Sequence, residues 1–395
     1  MLPLQDIRIL DLTRMVAGPF CSMLLGDLGA EVIKIEQPGT GDDTRHWGPP
    51  FINGESAYFI SINRNKKSLT LDLKKEKAKE VFRQLVKQSD VVMENFKTGT
   101  MEKFHLGYEE LKNINQKLIY CSITGFGLSG PYKNKAGTDP VLQAIGGLMG
   151  LTGEPDGKPV RIPLAIIDMV TGLYAHGAIM AALLARGTTG KGQFIEISLL
   201  DTELTLLMNL ASSYLLAGEV PKRWGSGHPT IVPFGVFETK DRDIFMSASS
   251  DGRWRRLCKA CQLDYLADDP RFLTNTARIE HRKELVPLLQ ERLHHKTAEE
   301  WLSILDEVGV PCAPINTLDK VFQDPHVMAR GIVKEVTHPI TGTLKMVGIP
   351  VRHHETPGTI RLAPPHLGEH TNTILHELLG YNDNVIDSLR QEGVV

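Results

Sequence analysis

Ile7-Arg-Ile-Leu-Asp-Leu12, then the helical run Phe20–Leu28, then Glu31-Val-Ile-Lys-Ile35: the chain opens as strand, helix, strand. The same alternation continues. Strand patterns recur at Ser68–Leu73, Val91–Glu94, Leu118–Thr124 and Phe194–Ser198, with helical periodicity at Lys75–Gln88, Tyr108–Asn113 and Thr171–Arg186. Repeated βα alternation specifies an α/β fold whose sheet is mostly parallel, with helices on both faces.

The pattern changes after about residue 220. The turn-rich Trp224-Gly-Ser-Gly-His-Pro229 leads into short strands, Val232–Glu238 and Ile244–Ala248. Polar helices follow at Asp251–Leu263, Ala277–His295 and Thr297–Val308, and the segment closes near Cys312-Ala-Pro314. From Arg330 strands resume (Gly331–Val336, Gly342–Val347), and a helix follows at Thr371–Leu379. The expected organisation is a large domain of residues 1–220 and 330–395, interrupted by a smaller α+β domain of residues 221–329.

With 395 residues, 42% hydrophobic and 23% charged, the chain can bury a large core. A net charge of −3 excludes any global pull toward nucleic acid or an anionic membrane. A polyanionic ligand has to be met by local lysines and backbone N–H groups. Cys258-Lys-Ala-Cys261 is a lone C-x-x-C with no second pair, so the five cysteines read as reduced structural thiols and no metal is expected. The strand pattern starts directly after Met1, leaving no room for a leader, and the apolar run Leu173–Leu184 is too short to span a bilayer. A cytoplasmic protein is expected.

Asp168, in Arg161-Ile-Pro-Leu-Ala-Ile-Ile-Asp168, sits between an apolar strand-like stretch and a long helix. An aspartate there caps the helix and is held ionised by its dipole; desolvated, it is also a covalent nucleophile. Gly125-Phe-Gly127-Leu-Ser-Gly130 imitates a dinucleotide fingerprint, but Pro131, Gly137 and Pro140 follow where a helix should open. Asn95-Phe96-Lys97, directly after a strand, suits an adenine or phosphate group. No G-x-S-x-G elbow occurs, which argues against serine hydrolase chemistry.

These segments together resemble CoA-transferase family III, the group of formyl-CoA:oxalate and carnitine CoA-transferases, and within it the succinyl-CoA:glutarate branch. The resemblance is carried by Ile9-Leu-Asp-Leu-Thr13, Ala17-Gly-Pro19, Leu28–Glu36, Gly41-Asp-Asp-Thr-Arg45, Asn63-Arg-Asn-Lys-Lys-Ser68 and Glu94-Asn-Phe96. Further on it rests on Ser122–Gly127, the Asp168 segment, Gly190-Lys-Gly-Gln193, Arg223-Trp-Gly225, Ile231-Val-Pro233 and Leu367-Gly-Glu-His-Thr371.

The resemblance implies a Rossmann-like large domain, a small domain, an interlocked homodimer, CoA thioesters as substrates and no permanently bound cofactor. It makes Asp168 the nucleophile, which passes through mixed anhydrides and an aspartyl-CoA thioester. It assigns CoA contacts to Val16, Ala17, Leu71, Lys74, Asn95, Phe96 and Lys103, with Lys97, Thr138 and Asp139 beside them. Gln37 replaces a phosphate-side arginine of the family, and Val16 replaces the glutamine of oxalate-using members. Trp47 and Tyr58 match aromatics of the acyl pocket. A dicarboxylate's distal carboxylate needs a cation, for which Arg45, Arg161, Arg223 and His228 are the candidates. The α-methylacyl-CoA racemases of the same family use a histidine in Ala-Gly-His-Asp; Thr138 in Ala136-Gly137-Thr138-Asp139 disfavours that reaction. The expected activity is CoA transfer from succinyl-CoA to a dicarboxylic acid such as glutarate, with a formyl-CoA:oxalate-type transferase or the racemase as alternatives.

Overall fold

The computed structural model describes every residue except Pro339. The chain divides into two compact units. The first comprises Met1–Leu148, Ile162–Ser212 and Arg330–Val395, and the second Met149–Arg161 and Ser213–Ala329. The segment 149–161, read from sequence as part of the large domain, belongs with the second unit.

Six strands form the sheet of the first unit: β1 (Arg8–Asp11), β2 (Glu31–Glu36), β3 (Lys66–Thr70), β4 (Val91–Glu94), β5 (Ile119–Thr124) and β6 (Phe194–Ser198). All pair in parallel, in the order β3-β2-β1-β4-β5-β6. This is the doubly wound order, in which the direction of winding reverses between β1 and β4.

Successive side chains alternate faces. Ile9, Val32, Val91, Met93 and Ile119 pack with Cys21 and Leu25 of helix α1 (Ala17–Asp27) and with Ala175 and Ile179 further along the chain. Their neighbours Leu10, Ile33, Val92 and Tyr120 face Val81, Phe82 and Leu85 of α2 (Glu76–Val86). Ile374 and Leu375 of the helix Thr371–Leu379 close that second face.

Three further helices matter for the site: α3 (Asp139–Ile145), α4 (Ile166–Thr189) and α5 (Leu199–Leu206). The apolar helix α4 is 24 residues long, not the short run expected from Leu173–Leu184, and by length and composition alone it could cross a membrane. It packs instead on β5, β6 and α1. Gly172 makes the α1 contact possible, since a Cβ there would lie 2.7 Å from the Ala17 carbonyl oxygen. The expected strand before Asp168 is irregular chain, and the helix starts at Ile166 rather than Thr171.

In the second unit β7 (Phe234–Glu238), β8 (Asp243–Ser247) and β9 (Cys312–Pro314) form an antiparallel sheet ordered β9-β8-β7. Its core gathers Trp254, Leu257, Phe272, Leu289 and Trp301. The single helix expected over Ala277–His295 is two, Asn275–Glu280 and Arg282–Leu293, broken at His281. The break follows fully buried Arg278, whose guanidinium donates to the carbonyls of Val232 and Phe272 and to Asp251.

Candidate active site

The turn after β1 is built on buried charge. Lys34 interrupts the apolar run of β2, and its ammonium lies 2.8 Å from Asp42 and donates to the Thr13 carbonyl. Lys66 donates to the Pro19 carbonyl and to Asn63, and lies 3.4 Å from Asp11. Asp11 in turn accepts from the Thr13 amide and the Ser22 hydroxyl. Burial alone would raise the Asp11 carboxyl, but Lys66, Lys34 and the hydroxyls of Ser22 and Thr13 outweigh it and hold the group below the ordinary carboxylate range. Burial pushes the Lys66 ammonium down to about 8. Breaking such a pair leaves an uncompensated buried charge, so the network fixes the turn Thr13–Val16 from which α1 starts. A lysine inside Val32-Ile33-Lys34-Ile35 and an aspartate inside Ile9-Leu10-Asp11-Leu12 were its sequence signs.

Doubly wound sheets bind ligands outside the carboxyl ends of their strands, at the reversal point. Here that edge carries a cleft of 320 Å³ lined by Arg14, Gln37, Leu71, Lys74, Phe96 and Phe104, among others. Beside it a second, of 270 Å³, is lined by Asn95, Phe96, Lys97, Lys133 and Thr138. Gln37, Leu71, Lys74, Phe96, Lys97 and Thr138, named from sequence as CoA contacts, line one or other of these two clefts.

Asn95 plays a different part. Its side chain accepts from the Arg14 amide and donates to the Arg14 carbonyl, so it clamps the two loops that flank the reversal point. Lys103 is exposed on the short helix Thr100–Lys103, and it is Thr100 and Phe104 that line the first cleft. Gly125–Gly130 stays a loop, packed so closely on Gly137 that a Cβ on Gly125 would lie 2.9 Å from the Gly137 Cα.

Asp168 lies in the first turn of α4. Its side chain does not cap the helix, because the N-cap position is Ala165. The cap is supplied from outside, by Asp139. One Asp139 oxygen accepts the amides of Ile167 (2.8 Å) and Asp168 (3.3 Å), two of the donors a helix start leaves free. That external acceptor explains why the helix begins five residues before the sequence pattern does. Asp139, expected among the CoA contacts, is therefore buried and committed to α4.

The helix dipole does not hold Asp168 in the ordinary carboxylate range. Burial, with the nearby Asp139 charge, pushes its carboxyl up to about 7. Desolvation and like charge outweigh a dipole effect of about 1 kcal/mol.

Next to Asp168, Ala165, Met169 and Leu173 line an apolar cleft of 710 Å³ that also includes Val16, Phe20, Tyr58, Ser61 and His176. Ala17, the first residue of α1, follows Val16 directly and is buried. Trp47 packs edge-on to Tyr58 with ring centroids 5.1 Å apart.

Arg45 is not available to a substrate carboxylate. It is buried in a two-point pair with Glu36 at 2.8 Å, lies over the Phe59 ring and donates to the Pro365 carbonyl. Arg161, Arg223 and His228 belong to the second unit, whereas Asp168 belongs to the first. Arg223 directs its N–H groups to the carbonyls of Gly150, Glu154 and Gly157. The His228 ring accepts from the Thr230 amide and packs on Phe234.

The fold and these clefts define a doubly wound α/β protein that presents a half-buried carboxyl beside an apolar pocket. Residues 4–371 match the family model of CoA-transferase family III, and the chain belongs to that family. It is a CoA-transferase. It is 44% identical over 393 residues to the succinyl-CoA:glutarate CoA-transferase of Homo sapiens, covering all of this chain and 90% of that protein. It is 40% identical to the succinate–glutarate CoA-transferase of Agrobacterium fabrum, covering 95% of this chain and 96% of that one. Among solved structures it is similar to a CAIB/BAIF family protein from Brucella suis. There the TM-score is 0.85 and the identity 43%, over 95% of this chain and 99% of that chain.

Proposed function

We propose that this enzyme moves CoA from succinyl-CoA to a dicarboxylic acid such as glutarate, with Asp168 as the acyl-accepting nucleophile. The acceptor assignment is supported by the relatives of 40–45% identity named for succinate, or succinyl-CoA, and glutarate. The nucleophile is supported by one observation above all: the place of the Asp168 carboxyl in the first turn of α4, directly before Met169, which lines an apolar cleft; burial there raises the carboxyl to about 7.

The Asp168 carboxylate attacks the thioester carbonyl and the C–S bond breaks, giving a mixed anhydride and CoA thiolate. The thiolate attacks the aspartyl carbonyl, succinate leaves, and an aspartyl-CoA thioester remains. Glutarate attacks that thioester and expels the thiolate. The thiolate then takes the glutaryl group from the second anhydride and frees Asp168. Each exchange conserves an activated acyl bond, so the cycle consumes no ATP. An apolar surround protects the anhydrides from water. The raised basicity of Asp168 strengthens it as a nucleophile, and half of it is ionised near neutral pH.

CoA lies across the carboxyl edge of the sheet in this reading, with Gln37, Leu71, Lys74, Phe96, Lys97 and Thr138 around it and Lys103 at the rim. The acyl group points toward Val16, Ala17, Trp47 and Tyr58. A threonine hydroxyl at position 138 offers no base for α-proton exchange, so racemisation is disfavoured.

The working assembly is an interlocked homodimer. It is supported by large apolar side chains left exposed in each unit of a single chain, including Leu173, Tyr174, Leu184 and Met208 in the first and Leu215 and Leu216 in the second. Five free thiols accord with a cytoplasmic setting.

The deciding experiment is hydroxylamine trapping after incubation with succinyl-CoA, followed by peptide mass mapping. A hydroxamate on Asp168, together with faster CoA transfer to glutarate than to oxalate, supports the reading. An unmodified Asp168 in an active enzyme removes the nucleophile assignment, and preference for oxalate removes the acceptor assignment.

A further inference from the structure

The chain leaves the first unit after Leu148 and returns to it at Ile162. The residue that receives the returning chain is Gln143, on α3, one turn after Asp139. Its carboxamide is fully buried. Its oxygen accepts the Ile162 amide at 2.8 Å, and its nitrogen donates to Asp139 at 2.7 Å and reaches the Ile162 carbonyl at 3.4 Å. The other Asp139 oxygen holds the amides of Ile167 and Asp168. Two points on one helix therefore grip the backbone on either side of a short irregular segment, and Asp168 follows directly from the second grip.

A glutamine suits this place for a specific reason. It must accept from a backbone amide and donate to a carboxylate at the same time, and a carboxamide has both groups in one plane and stays uncharged across the pH range. The departing chain is held nearby: the Leu148 amide donates to Glu203 of α5, a fully buried carboxyl over Gly146, where a Cβ would lie 2.2 Å from it.

We infer that Gln143 is a positioning residue for the nucleophile: by clasping Ile162 and orienting Asp139 it sets the place of the Asp168 carboxyl without touching substrate. The inference rests on Asp168 being the nucleophile. A displacement of about 1 Å in a reacting group costs on the order of 100-fold in rate. Gln143→Leu keeps the volume and removes both hydrogen bonds. Gln143→Glu keeps the acceptor at all pH values but donates to Asp139 only when protonated.

The test measures three things in wild type, Gln143→Leu and Gln143→Glu between pH 5 and 8. They are steady-state transfer from succinyl-CoA to glutarate, the rate of hydroxylamine-trappable labelling of Asp168, and thermal unfolding. Gln143→Leu is expected to lose roughly 100-fold in kcat and in labelling rate, with KM for succinyl-CoA within about threefold. Gln143→Glu is expected to be as slow at pH 8 and to recover toward wild type as pH falls. Asp139, Asp168 and Glu203, the carboxyls around it, are common to all three proteins, so activity is read as the ratio to wild type at each pH.

A merely structural role would lower stability without a pH-dependent recovery of that ratio. Should the leucine variant not fold, the glutamate variant read at pH 5 and pH 8 makes the same decision. Equal labelling rates in wild type and variants, or a ratio flat with pH, overturn the positioning role alone. Absence of label on Asp168 in active wild type overturns the nucleophile assignment, and the positioning role with it.

Discussion

The Asp139 carboxylate accepts the backbone amide of Asp168 at 3.3 Å, so one buried aspartate helps to place another and, after burial, adds to its basicity. Asp139→Asn retains an oxygen for the Ile167 and Asp168 amides and removes the charge. Because its nitrogen also replaces the oxygen that accepts from Gln143, the effect on basicity is read from the position of the pH limb and not from the height of kcat. The Asp168 carboxyl then falls from about 7, and the acidic limb of the kcat–pH profile moves to lower pH. A limb that stays in place would show that burial alone sets the value.

Asp168→Asn should abolish transfer, by on the order of 1,000-fold or more, while stabilising the fold at alkaline pH. The sign follows from linkage. The folded-state carboxyl is raised from 3.8 to about 7, so the folded protein holds a proton that the unfolded chain has already lost. Wild-type stability therefore declines as pH rises across that window. The asparagine variant does not share the decline and is more stable at pH 8 by about 2–4 kcal/mol, with the difference gone below pH 4. Urea unfolding at both pH values measures it.

Gly172→Ala tests the close contact of α4 with α1. The added methyl meets the Ala17 carbonyl at 2.7 Å, a backbone atom that cannot swing aside. A loss of about 1–3 kcal/mol is expected, with kcat reduced because the separation moves Asp168 relative to Val16. Chemical denaturation and steady-state rates check the two parts.

Arg45→Met should act on stability rather than on substrate binding. It strands the Glu36 carboxylate in the interior, at a cost of about 3–5 kcal/mol. The KM for glutarate in the folded fraction is expected to match wild type. A selective rise in that KM would return Arg45 to the substrate site.

Lys74→Ala should raise KM for succinyl-CoA about tenfold with little change in kcat, and added salt should shrink the difference. An unchanged KM at low ionic strength would remove Lys74 from the CoA cleft.

The parallel sheet was legible because strands buried on both faces are nearly continuous apolar runs, and because βα alternation is regular from Ile7 to Ser198. The start of α4 was not legible. Nothing local announces a helix at Ile166 when its first donors are satisfied by an aspartate 28 residues earlier. The electrostatics of Asp168 escaped for the same reason, since the neighbouring charge is distant in sequence. Arg45 was misassigned because a buried ion pair with Glu36 and an open binding arginine have the same residue type. Asn95 was placed correctly at the carboxyl edge, but its clamp on Arg14 depends on backbone atoms that no residue pattern encodes.

Strand β3 lies at the edge of the sheet, and what covers it arrives late. The His370 amide donates to the Ser68 carbonyl, the Ser68 amide to the His370 ring, and the Thr70 amide to the Thr371 hydroxyl. At ribosomal speeds of about 5–20 residues per second, roughly 15–60 s pass between synthesis of Ser68 and of His370. Throughout that interval a nascent chain with its first strands assembled carries an open edge, the form of surface on which chains pair with one another. Ribosome-associated chaperones are expected to dwell on this polypeptide until residues 366–371 emerge.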